Sequence, residues 1–64
     1  MQYYYLVDME RTSGNHLCYW KANEFGYTFN IDEAGEYDQF QAIRICLEDL
    51  NQNTLMLPIA KICN

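Results

Sequence analysis

The hydrophobic repeat of this chain changes period once, near Asp38, and that change constrains its architecture more than any other feature. Upstream, Tyr3, Tyr5, Val7 and Met9 alternate with Gln2, Tyr4, Leu6 and Asp8. Leu17, Tyr19 and Lys21 then alternate with Cys18 and Trp20, and Tyr27, Phe29 and Ile31 with Thr28 and Asn30. A period of two belongs to β-strands, and the aromatic content suits them. Downstream, Phe40, Ile43, Leu47 and Leu50 recur at the spacing of one helical face, with Cys46 beside them and Gln41, Arg44 and Glu48 on the wetter side. This stripe is expected to face the sheet.

The breaks between these segments are equally legible. Thr12-Ser13-Gly14-Asn15 predicts a turn between strands over 2–9 and 16–21, and Asn23–Gly26 a second turn in which Gly26 takes a positive φ. Tyr27–Ile31 forms the third strand of a meander. Asp38 is placed to accept bonds from the first free amides of a helix starting near Gln39, with Gln41 three residues on and Tyr37 packing back on Ala42. Asn51-Gln52-Asn53 ends the helix. Thr54–Ile59 alternates again, and Pro58, which has no amide to donate, puts this strand at an edge or ends it. The expected fold is a single α+β domain over residues 1–64, a three- to four-stranded antiparallel sheet with one helix packed on it, in the order β-β-β-α-β.

Sixty-four residues, half of them hydrophobic and 16% aromatic, suffice for one core and no second domain. Nine acids against four bases give a net charge of −5, and Arg11, Lys21, Arg44 and Lys61 are scattered singly. A nucleic-acid reader clusters its cations on phosphates, so direct nucleic-acid binding is not expected and a protein partner with a basic surface is. No run approaches the roughly 18 apolar residues of a membrane span, and the N-terminal order is not that of a secretory signal. Cys18, Cys46 and Cys63 are odd in number and form no CxxC pair, which fits reduced, mostly buried thiols in the cytoplasm.

From Tyr3 to Pro58 the chain resembles a group of small phage and prophage accessory proteins. The likeness rests on Tyr4-Tyr5-Leu6-Val7, Trp20-Lys21-x-Asn23-x-x-Gly26-Tyr27-Thr28, Ala34-Gly35-Glu36-Tyr37 and Leu57-Pro58. It departs from the group's pattern at Ala22 and at Glu24-Phe25. What the resemblance implies is a protein made by a virus inside a bacterial host cell, where small acidic proteins bind and block host machinery. It carries no catalytic motif to transfer.

Several residue clusters could carry chemistry. Tyr4, Leu6 and Trp20 share one face of the strands, and a sheet covered by one helix leaves a face open, so this face is expected to be exposed, with Phe25 beside it. Tyr27 is expected in the core. Asp32, Glu33, Glu36 and Asp38 crowd the approach to the helix, an acidic contact for a basic partner. Glu48 and Asp49 lie where the helix dipole disfavours acids, which suggests a surface role. Trp20, Phe25, Glu33, Glu36, Tyr4 and Asp32 are the expected partner-binding residues.

Catalysis is not expected. His16 and Cys18, two apart on one strand, stand roughly 7 Å from each other, too far to share a proton. His16, Cys18, Cys46 and Cys63 lack the spacing of a zinc finger, and neither metal nor cofactor is expected. The resulting expectation is a phage-type inhibitor of a host defence complex, of the anti-CRISPR or anti-restriction kind, acting by protein–protein contact and compatible with a homodimer. The alternatives are an oligomer that sequesters a small signalling nucleotide, with Trp20 stacked on the base, and a structural component of a viral assembly.

Overall fold

The computed structural model describes residues 2–60. It is an α+β domain of five antiparallel strands and one helix: β1 (Tyr3–Asp8), β2 (Tyr19–Trp20), β3 (Tyr27–Thr28), β4 (Tyr37–Asp38), α1 (Gln39–Glu48) and β5 (Thr54–Pro58). Relative to the expected order, the addition is β4, two residues immediately before the helix.

β1 is the spine of the sheet. Tyr4 pairs with Tyr37 and with Pro58, and Val7 pairs with Tyr19 and with Leu55. A strand has only two edges, so β4 and β2 share one edge of β1, at opposite ends, while β5 runs along the whole of the other. β3 continues outward from β2, pairing Thr28 with Tyr19. The meander of the first three strands and the edge position of β5, ending at Pro58, agree with the sequence reading.

The second and third strands are shorter than the alternation over 16–21 and 27–31 predicts, because local polar groups take over their amides. Ser13 and His16 exchange backbone bonds across a tight turn in which Gly14 has φ +56°, and the Thr12 hydroxyl accepts the Cys18 amide at 3.0 Å. At the other end, the Thr28 hydroxyl accepts the Asn30 amide at 3.0 Å, and the Asn30 side chain accepts the Asp32 amide at 3.0 Å. Bonds of this kind offer the chain an alternative to the ladder, and a short 3-10 turn, Ile31–Glu33, follows.

The helix begins where expected: Asp38 caps it, its carboxylate accepting the Gln41 amide at 2.9 Å. Its orientation is opposite to expectation. Ala42 and Ile45 are buried, with Cys46 packed beside them, whereas Phe40, Ile43, Leu47 and Leu50 are 81, 39, 75 and 90% exposed. Both ends of the helix fix this rotation. Its cap belongs to β4, so no loop separates helix from sheet, and Tyr37 sits in the same core cluster as Ala42 and Ile45. At the far end the Asp49 carboxylate accepts the Asn53 amide at 2.8 Å and the Thr54 hydroxyl at 2.7 Å, tying the helix to the start of β5. Asp49 follows Ala42 and Ile45 by seven and four residues, so anchoring it turns that face inward. This also corrects the reading of Asp49 as a surface acid, since it is the fastener between α1 and β5.

The faces of the sheet are correspondingly exchanged. The core consists of Leu6, Tyr37, Ala42 and Ile45, with Tyr4, Trp20, Cys46 and Met56 packed against it. Tyr4, Leu6 and Trp20 thus lie under the helix, not on an open face. The opposite face carries Tyr3, Tyr5, Val7 and Tyr19; Val7 and Tyr19 are buried and Tyr3 and Tyr5 half-buried, with Tyr5 and Tyr19 in edge-to-face contact at 5.8 Å, and Leu57 and Leu55 as cross-strand partners of Tyr5 and Val7. No helix of the described residues is long and apolar enough to cross a membrane.

Candidate protein-binding surface

The turn from Lys21 to Tyr27 is bent sharply and held from below. Asn23, Glu24 and Gly26 have φ values of +59°, +60° and +98°. Only glycine adopts such angles without a penalty; Asn and Glu each give up on the order of 1 kcal/mol, so the surroundings must impose the shape. Five hydrogen bonds do so. The Lys21 amide donates to the Gly26 carbonyl at 2.9 Å and the Phe25 amide to the Ala22 carbonyl at 3.2 Å. The Tyr37 hydroxyl, reaching up from β4, donates to the Lys21 carbonyl and accepts the Glu24 amide at 3.0 Å. Gly35 lies beneath Ala22 and donates its amide to the Trp20 carbonyl at 2.9 Å.

Phe25 stands at the apex of this turn and is 80% exposed. The acidic segment runs alongside, because Ala34 bridges to Lys21 and Gly35 to Trp20. Asp32, Glu33 and Glu36 are exposed there, and Glu33 also accepts the Thr28 hydroxyl at 2.9 Å. Of the six expected partner-binding residues, the fold therefore brings Phe25, Asp32, Glu33 and Glu36 onto two laced segments. Trp20 and Tyr4 are half-buried against the core and leave the set.

Trp20 packs edge-to-face on Tyr27 at 5.5 Å, and its buried indole N–H has no partner among the described residues. Tyr27 is 39% exposed, not buried as expected, and supports the Arg11 guanidinium 4.1 Å above its ring. Arg11 is in turn held by Asp8 at 2.6 Å. An open cleft of about 230 Å³ next to Trp20 is lined by Asp8, Glu10, Glu24, Glu48 and Asp49 among others, so a phosphate there meets mainly negative charge. The exposed Arg44 spans two of these acids, Glu24 at 3.3 Å and Glu48 at 3.1 Å, linking the turn to the helix.

The remaining nucleophiles and ligands are dispersed. Cys18 is buried and Cys46 half-buried, and burial pushes both thiols above their ordinary pKa, away from the reactive thiolate. His16 is exposed at its turn while Cys18 points inside. Among the described residues no three His, Cys, Asp or Glu side chains converge as metal ligands, and Cys63 lies outside the described residues.

The surface that sequence reasoning missed is the outer side of α1. Its stripe was legible, but periodicity states which residues share a side and not which side faces the sheet. No protein-family model, curated protein or solved structure matches this chain.

Proposed function

We propose that this protein acts by binding another protein, as a non-enzymatic inhibitor whose contact surface is the Phe25 turn and the adjoining acids Asp32, Glu33 and Glu36. The observation that carries this reading is the clamped turn: Gly35, Tyr37 and two left-handed residues hold in place the backbone of a residue whose aromatic side chain is 80% exposed and adds nothing to the core. A large aromatic presented on a backbone already fixed spares the entropy of ordering that backbone on binding, which is the property of an interface anchor. The net charge of −5 steers such an anchor toward a basic surface.

The resemblance to phage accessory proteins supports a host defence complex as the target, since nuclease-based defences present basic surfaces to nucleic acid. The acid lining of the Trp20 cleft disfavours the competing nucleotide-sequestering role. Two measurements on one variant test the proposal. Expression of the chain in a defence-proficient bacterium should raise phage plating, and the immobilised chain should retain a basic protein from that host. Phe25→Ala combined with Asp32→Lys should abolish both effects. Retention and plating unchanged by the double variant would show that the surface is wrong.

A further inference from the structure

We propose that the outer side of α1 is a self-association surface, where two copies pack helix against helix about a twofold axis. This goes beyond the inhibitor reading and does not depend on it. Phe40, Ile43 and Leu47 line the outer side and Leu50 continues it in the following turn, with exposures of 81, 39, 75 and 90%. At roughly 150–200 Å² for a large apolar side chain, they leave on the order of 400–550 Å² of apolar surface in water. Two copies placed stripe to stripe would withdraw at most about 1,100 Å², above most crystal contacts and just short of standard specific interfaces, the size of a weak dimer.

Charge selects a second copy over other occupants. Eight of the nine acids lie outside α1, and the ninth, Glu48, is matched by Arg44 on the same helix at 3.1 Å. The outer side of the helix is therefore neutral, so two chains of −5 repel least across it, and it offers a basic partner nothing to recognise. An anionic bilayer is disfavoured because the stripe has no rim of cations and the chain as a whole is acidic. An antiparallel pair also sets the positive end of each helix dipole beside the negative end of the other. A twofold contact matches the stripe to itself, and each Leu47 then meets the Ile43 region of the other copy.

Sedimentation equilibrium from about 5 to 500 µM tests this on the full chain. The expected result is a species of twice the chain mass, with Leu47→Glu raising the dissociation constant more than about 100-fold while far-UV circular dichroism is unchanged. Should Leu47→Glu perturb folding, Leu50→Lys in the turn supplies the same test outside the helix. Amide shifts that depend on concentration should map to residues 40–50. A monomer at 500 µM, a dimer indifferent to both variants, or shifts mapping to the Tyr5, Tyr19 and Leu57 face would each overturn the proposal. Phe25→Ala should leave the dimer intact, which separates this result from the fate of the inhibitor reading.

Discussion

Gly35 lies so close to Ala22 that a β-carbon on it would stand 2.5 Å from the Ala22 nitrogen and 2.6 Å from its α-carbon. The obstacle is backbone, which cannot swing aside as a side chain can. Gly35→Ala should therefore destabilise the fold by about 2–3 kcal/mol or displace the Phe25 turn. Gly14→Ala is the matched control: no described atom lies within 4 Å of its β-carbon position, and only its φ of +56° opposes the change, at about 1 kcal/mol. Chemical denaturation of the two variants compares steric and conformational costs directly, and equal losses would contradict the close approach.

The Tyr37 hydroxyl leaves a second signature. Tyr37→Phe removes the partner of both the Lys21 carbonyl and the Glu24 amide, and a loss of about 1–3 kcal/mol is expected, with faster hydrogen exchange at the Glu24 amide. Burial pushes the Tyr37 pKa upward, against the smaller opposing pull of the Glu24 amide. The folded state thus holds this proton more tightly than the unfolded chain does. That stabilisation is complete below the ordinary tyrosine pKa of about 10 and is lost as pH rises through the higher folded value. The difference in stability between wild type and Tyr37→Phe should accordingly shrink above about pH 10; a constant difference would mean the hydroxyl is not buried.

Asp49 reports on the acid side. The Thr54 hydroxyl holds its carboxyl below the ordinary value, with the Asn53 and Asn51 amides adding to this against an opposing effect of burial. A depressed folded pKa stabilises above the unfolded value near 4 and fades as pH falls through the folded one. Asp49→Asn should be less stable than wild type at pH 7, with the gap closing progressively as pH falls below the ordinary aspartate value of about 4. A gap independent of pH would remove the carboxylate from the α1–β5 fastening.

The rotation of α1 is open to a paired substitution. Ile45→Ala empties a core position and should cost about 2–4 kcal/mol. Leu47→Ala, at 75% exposure, should change stability by no more than about 0.5 kcal/mol when measured at a concentration where sedimentation shows a monomer. Reversed magnitudes would restore the stripe to the sheet.

The helix limits, the cap at Asp38, the first hairpin, the Gly26 turn and the edge position of β5 could all be read from residue order, because each depends on groups a few positions apart. The direction of the helix could not, since it is set by Tyr37 gripping the 21–24 turn and by Asp49 gripping Thr54. The same long-range contacts explain why Trp20 and Tyr4 went to the interior while Phe25 stayed outside. Asp32, Glu33 and Glu36 are exposed as expected, whereas Asp38 and Asp49 are half-buried, and Glu33 and Asp38 also serve the backbone and side chains around them.

The two-sided pairing of β1 has a kinetic consequence. Its ladder with β5 joins Tyr4 to Pro58 and Asp8 to Thr54, so nearly the whole described chain must be gathered into one loop before that edge closes. The chain gains little from its strands until this late step, and the rate of folding should be governed by the meeting of residues 4–8 with 54–58 more than by the speed at which α1 winds.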